Sequence, residues 1–212
     1  MPDPSPTAVD SRVDAVNIDQ ATARDVPALA ALHAAALPND FLPSLGVGFL
    51  ERIYYPATFE SPHGAHLVAR VGQQAIGFVT IAHKTSAFTG DVLRGHLLQL
   101  ARCALAAASR RPAHLLQSAE VLWSVVTARP DPIEGEIVLI AVSAEARGRG
   151  VGKALVSAAL EYLRRHSVAR CRTKTLAANR AVIAMYEDLG WHVRDRFRLI
   201  GREYVTIVSS EL

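Results

Sequence analysis

The stretch Arg147-Gly148-Arg149-Gly150-Val151-Gly152-Lys153 constrains this chain more than any other. An apolar run, Ile137 to Val142, precedes it, and a helix-period segment, Val151 to Arg165, follows it. Strand, glycine-rich turn and helix in that order aim several backbone N–H groups at one anion. Glycines let the backbone come close to a phosphate, and the helix start adds its partial positive charge. Arg147, Arg149 and Lys153 add three cations around the turn. The segment therefore reads as a site for a phosphorylated cofactor. A P-loop needs two glycines five apart, followed by Lys and Ser or Thr, and that spacing is missing. A dinucleotide fingerprint fails at its last glycine, where Lys153 stands, and the turn lies late in the chain.

The spacing does match R/Q-x-x-G-x-G/A, at Arg147, Gly150 and Gly152. In this it resembles the acetyl-CoA pyrophosphate loop of the GNAT N-acetyltransferase family. Downstream, a short strand from Arg172 to Leu176 leads into Asn179-Arg180-Ala181-Val182-Ile183-Ala184-Met185-Tyr186-Glu187-Asp188-Leu189-Gly190-Trp191. This is similar to the second signature of that family, N-x-A-x(4)-Y-x-x-x-G-[FW]. Gly77-Phe78, in an earlier strand, also fits the family pattern. The two signatures span roughly Glu134 to Trp191, and the rest of the chain fits more loosely.

The resemblance implies an α/β fold: a central mixed, mostly antiparallel, twisted sheet flanked by helices. It implies acetyl-CoA as acyl donor, bound through Arg147, Gly148, Arg149, Gly150, Val151, Gly152 and Lys153. Pantetheine would lie along Ile140, Ala141 and Val142, with Asn179 capping a helix and touching the pantetheine arm. Tyr186 would face the thioester sulfur and give a proton to the leaving thiolate. Glu136 stands where many family members carry the base that deprotonates the acceptor amine, and Glu134 is its substitute. Each has a plainer reading: Tyr186 as a core aromatic on an amphipathic helix, Glu136 as an exposed carboxylate at a strand end. Period-two alternation places Glu136, Val138, Ile140 and Val142 on one face. Gly190 would end the helix in the left-handed conformation, and Trp191 would pack behind it.

Composition agrees with a globular enzyme. Half of the 212 residues are hydrophobic and 20% are charged, with a formal net charge of +3. A chain of this length buries roughly 70% of its unfolded surface. The small net charge gives no reason to expect nucleic-acid binding. Cys103 and Cys171 form no metal-ligand spacing, and neither CxxC nor HExxH occurs, so no metal is expected. The default is a reduced, cytoplasmic protein without a transmembrane segment, monomeric or homodimeric.

Met1 to Asp14 is rich in Pro, Ser and Asp and reads as a disordered leader, leaving one domain over 15–212. Val16 to Gln20 reads as a first strand. Thr22 and Asp25 form a variant capping box before a helix whose apolar face is Ala28, Leu29, Leu32, Ala35 and Ala36, closed by Pro38. A second helix around Leu45, Phe49, Leu50 and Ile53 is expected to end at Pro56. Ala65 to Val71 and Ala75 to Ile81 form a hairpin across Gly72-Gln73-Gln74. Val151, Ala154, Leu155, Ala158 and Tyr162 should line one face of the helix after the loop. A closing hairpin follows, Val193 to Leu199 and Tyr204 to Val208.

The chain departs from the family between the third and fourth strands. A helical insert, Thr85 to Glu134, stands there, with helices expected over Asp91 to Ser109 and His114 to Val126. The window from Lys84 to Pro130 carries six basic residues against two acidic, and Asp131 and Glu134 follow at once and lower the sum. That charge suits a solvated face, or an anionic acceptor or surface. The expected reaction is acetyl transfer to a primary amine of a small molecule, with an amino sugar of cell-envelope biosynthesis suggested by analogy. Its alternatives are a protein acceptor (an N-terminus or a lysine) and an acyl-CoA-binding module without catalysis. His83 and His114 lie in or beside the expected acceptor region.

Overall fold

The computed structural model describes residues 16–94 and 131–212. The expected leader, Cys103, His114, the helix expected over His114 to Val126 and the part beyond residue 94 of the one expected over Asp91 to Ser109 lie outside the described residues. Seven strands form one sheet in the order β1-β2-β3-β4-β5-β7-β6. They are β1 (Asn17–Gln20), β2 (Gly64–Val71), β3 (Gln74–Ala82), β4 (Gly135–Val142), β5 (Cys171–Leu176), β6 (His192–Leu199) and β7 (Arg202–Val208). Every neighbouring pair is antiparallel except β4 and β5. The mixed, mostly antiparallel sheet expected from sequence is present. All seven strand positions were legible because each is a short β-rich run closed by a turn residue.

Helices cover both faces, and each face has its own core. On one side α1 (Val26–Ala36) and α3 (47–60) press Leu29, Ala30, Leu50 and Tyr55 onto Val68, Phe78 and Ala141. On the other, α5 (Val151–Arg165) and α6 (Arg180–Glu187) press Leu155, Ala159, Ile183 and Tyr186 onto Val79, Ile81 and Ile137. A short α2 (Phe41–Ser44) joins α1 to α3. The start of α1 is tied as expected: the Asp25 carboxylate accepts the Thr22 N–H at 2.8 Å.

Several local expectations are corrected. Pro56 does not end the second helix. Val47–Phe49, Leu50–Tyr54 and Tyr55–Glu60 run on as one helix, α3, and its middle section is a π turn. The Tyr55 N–H donates to the Leu50 carbonyl, five residues back. A wider turn placed just before a proline absorbs the ring and the missing donor. The buried face of α1 is Val26, Leu29, Ala30 and His33, while Ala35 is exposed. His33 was passed over because an apolar count skips histidine. The Tyr55 hydroxyl, 3.0 Å from its Nδ1, makes that burial tolerable. The core face of α5 is Val151, Leu155, Val156, Ala159 and Leu163, with Ala154 exposed and Tyr162 only half-buried.

The insert begins with a helix, α4, already at residue 85 rather than at Asp91, and its described part covers 85–94. No helix among the described residues is long and apolar enough to cross a membrane.

Candidate active site

The glycine-rich turn sits where strand β4 hands over to α5. Gly148 and Gly150 have φ of +74° and +80°, and Gly150 is the residue from which α5 departs. The first helical bond runs from the Ala154 N–H to the Gly150 carbonyl at 3.0 Å. The N–H groups of Val151, Gly152 and Lys153 precede it and point out of the helix end. A side chain at Gly152 would meet the Met185 sulfur at 3.2 Å, so this glycine lets α5 and α6 lie close together.

The cations divide their work. Arg147 lies along the surface, its Nε donating to the Val142 carbonyl at 3.2 Å and its Nη2 to the Ala36 carbonyl at 3.4 Å. It thereby ties the end of β4 to the C-terminus of α1, where a cation is favoured. Lys153 pairs with Asp188 of the α6 end at 2.9 Å. Arg149 is exposed on the turn.

Strands β4 and β5 pair over three positions only, Gly135 with Cys171, Glu136 with Arg172 and Ile137 with Thr173. Beyond that, β5 stays with β7 out to Leu176, and β4 stays with β3 out to Val142. A wedge-shaped opening results between β4 and β5. The Ser143 N–H donates to Ile76 on the β3 side. By alternation along β4, the backbone groups of Ile140 and Val142 turn toward the wedge and those of Ala141 toward β3.

Tyr186 stands at the apex of the wedge. It is 1% exposed, and its ring packs 4.8 Å from that of Trp191. Burial pushes its phenol well above the ordinary range. The Thr173 side chain is near enough to favour the ionised phenol slightly. No properly aligned hydrogen bond reaches the Tyr186 hydroxyl, however, and Thr173 Oγ1 already donates to Ile137. A buried hydroxyl without an aligned partner is costly. Asn179 opens α6 without making a side-chain cap bond, so its amide is not committed to the helix. Gly190 is left-handed, φ +79°, as the motif requires.

Glu136 is not an exposed strand end. It is 7% exposed, with Oε2 bonded to Arg172 Nε at 2.9 Å and Lys174 Nζ 3.5 Å from Oε1. Arg172 also pairs with Asp131, which pairs with Arg194. Burial raises the Asp131 carboxyl, but bonds from Arg194 and the Ile133 N–H, with the charge of Arg172, hold it well below the carboxylate range. Asp131, Arg172 and Lys174 gave no sequence signal, because Arg172 and Lys174 stand far along the chain from Asp131 and Glu136 and none belongs to a local motif.

The expected alternation along β4 is wrong. Thr80 pairs with Leu139 but Ile81 pairs with Ile137, which leaves Val138 as an extra residue. The bulge reverses the phase of the strand. Ile140 and Val142 face the α5 side, whereas Glu136 and Val138 line a cavity on the opposite side. Glu134 is separated from Glu136. It borders a different cleft, with His83, Lys84 and His166. His83 stacks on His166 at 4.5 Å and does not line the Glu136 cavity.

A family model described as the acetyltransferase (GNAT) family matches residues 34–191. The chain belongs to the GNAT acetyltransferase family. Curated relatives match over a shorter stretch. A mycothiol acetyltransferase of Salinispora arenicola is 41% identical over 71 residues, 32% of this chain and 23% of the relative. That of Paenarthrobacter aurescens is 35% identical over 71 residues, 32% of this chain and 22% of the relative. The matches thus span less than a quarter of those relatives. Solved GNAT structures agree in fold. Ribosomal-protein-alanine N-acetyltransferase from Brucella melitensis superposes with a TM-score of 0.60 at 18% identity, covering 92% of this chain and 99% of that one. The ribosomal-protein-S18-alanine N-acetyltransferase from Escherichia coli gives 0.59 at 14%, covering 92% and 93%.

Proposed function

We propose that this GNAT chain moves an acetyl group from acetyl-CoA to the primary amine of a small molecule by direct attack. The observation that carries the reading is the buried, unpartnered Tyr186 hydroxyl at the apex of the β4–β5 wedge. An acyl-CoA thioester brought to that apex supplies the missing partner. The helix-end N–H groups of Val151, Gly152 and Lys153, with Arg149, suit its pyrophosphate. Gly148 and Gly150 allow its close approach. The wedge-facing backbone of Ile140 and Val142 suits the pantetheine amides, with Ala141 holding the strand to the sheet and Asn179 available to the arm.

The bond formed is amine nitrogen to acetyl carbon, and the bond broken is carbon to sulfur. The attacking amine must first be neutral, and its proton leaves through Glu136, directly or by water. The Ile140 N–H stabilises the developing oxyanion. Tyr186 stays protonated at any working pH and donates to the departing thiolate. The similarity to enzymes named mycothiol acetyltransferases supports a small-molecule acceptor over a protein one. An amino sugar remains within this class.

Thiol release from acetyl-CoA, followed with a panel of amino sugars, polyamines, arylalkylamines and peptides, tests the reading. Amine-dependent release is expected with at least one small amine. Acetyl-CoA binding without release by any amine would leave a binding module.

A further inference from the structure

The first helix of the insert is fixed to the body of the molecule by three ties. The Thr85 N–H and hydroxyl both donate to the Glu134 carbonyl, at 2.9 and 2.7 Å. The Asp91 carboxylate accepts the Ser61 hydroxyl at 2.7 Å. Phe88 is 4% exposed, and its ring fills the space a side chain would need at Gly64: a Cβ there would lie 2.6 Å from two ring carbons. These ties set a wall. Phe88, Val92 and Leu93 face Tyr54 of α3 and Val138 of β4 across a cavity of about 150 Å³.

Among the described residues the lining is hydrocarbon and hydroxyl apart from one charge, the carboxylate of Glu136. Arg172 occupies its Oε2, while Oε1 has only Lys174 at 3.5 Å and keeps capacity to accept. An apolar cavity of roughly this volume holds one benzene-sized group. Val138 shares this side with Glu136, and the bulge turns Ile140 and Val142 to the other.

We propose that this cavity is the acceptor pocket, and that it takes a primary amine on an arylalkyl or branched alkyl chain, nitrogen toward Glu136 and apolar body between Val92, Leu93 and Tyr54. The inference rests on the acetyl-transfer reading and names its acceptor class. A sugar amine fits less well, since Phe88, Val92 and Val138 offer its hydroxyls no partner and the Thr58 and Thr85 hydroxyls already donate to backbone carbonyls. The basic residues of the insert, from Arg102 onward, lie outside the described residues. The described wall is apolar, so it favours an apolar acceptor over the anionic one that the charge of the whole insert suggested.

The test compares ethylamine, butylamine, isoamylamine, phenethylamine, glucosamine and spermidine by thiol release, with parent, Val92→Phe and Val92→Ala. In the parent, kcat/KM should rise roughly fourfold per added methylene until the cavity is full. Phenethylamine should exceed glucosamine and spermidine at least tenfold. Val92→Phe fills the space and should lower kcat/KM for phenethylamine at least tenfold more than for ethylamine, with the KM for acetyl-CoA within twofold. Val92→Ala should move the optimum to a longer chain, and it covers the case in which the larger residue disturbs folding. Preference for glucosamine or spermidine, or equal effects of the Val92 variants on all amines, overturns the proposal. If no amine is acetylated, calorimetric binding of phenethylamine decides. Binding that Val92→Phe abolishes keeps the pocket and removes the catalytic reading; absence of binding overturns the pocket.

Discussion

The Thr173 hydroxyl donates to the Ile137 carbonyl at 2.9 Å, across the last paired position of β4 and β5. One residue further on, the strands part. The bond closes the apex of the wedge, and the Tyr186 phenol, which feels both Thr173 and Cys171, lies beside it. Cys171 is itself buried, its thiol pushed up to about 12, so it remains a neutral neighbour. The apex therefore presents one unpartnered donor in an apolar setting.

Tyr186→Phe should lower kcat about 10- to 100-fold with little change in KM for acetyl-CoA, because the hydroxyl acts mainly as the thiolate departs. The same variant should be at least as stable as the parent, since it removes a buried group that has no hydrogen bond. Steady-state kinetics and urea unfolding check the two halves. An unchanged kcat, measured where chemistry limits the rate, would reduce Tyr186 to packing.

Gly150→Glu should weaken acetyl-CoA binding at least tenfold. A side chain at φ +80° costs roughly 1–2 kcal/mol of backbone strain, and the carboxylate repels the pyrophosphate. Gly150→Ala carries the strain alone and should fall between the two. Calorimetry on all three proteins separates the contributions. Equal affinity in the parent and Gly150→Glu would place the cofactor elsewhere.

Glu136→Gln keeps the shape of the side chain and removes its charge. Arg172 retains Asp131 as a partner. The expected results are a loss of kcat/KM for the amine of tenfold or more, an unchanged acetyl-CoA affinity, and a stability cost of about 1–3 kcal/mol. A stability cost with unchanged kcat/KM would leave Glu136 as a strut for Arg172 and Lys174.

Stability should fall on mild acidification. Burial lowers both His33 and His66 to about 4. His66 Nε2 has no hydrogen-bond partner, and its Nδ1 meets Thr80 Oγ1 at 2.9 Å. The unfolded chain therefore binds more protons than the folded one below about pH 6.5, so stability is full above that value and is lost as pH falls toward 4. By pH 5 each histidine accounts for up to about 2 kcal/mol. Urea unfolding at pH 7.5 and 5 measures the drop, and His33→Gln, which still reaches Tyr55, should lessen it. A pH-independent midpoint would show that both rings titrate normally.

The glycine-rich turn, the Asn179 to Trp191 signature and the seven strands were legible in the sequence because each depends on neighbours within about a dozen residues. Left-handed glycines, a helix start and a β-rich run between turns are local facts of backbone and side-chain chemistry. Glu136 and Tyr186 could be named, but their surroundings could not. The salt-bridge chain from Glu136 through Arg172 to Asp131, the separation of Glu134 from Glu136, and the cavity walled by Phe88 and Val92 join residues brought together only by the sheet order. Even the facing of β4 was decided by pairing. One extra residue against β3 turns Ile140 and Val142 away from the Glu136 side, and a period-two count has no means to see a bulge that exists only opposite another strand. The sequence by itself determined the local devices proposed to hold an acyl-CoA; tertiary pairing decided what stands beside Glu136 and Tyr186, because contact between distant residues is set by register and packing.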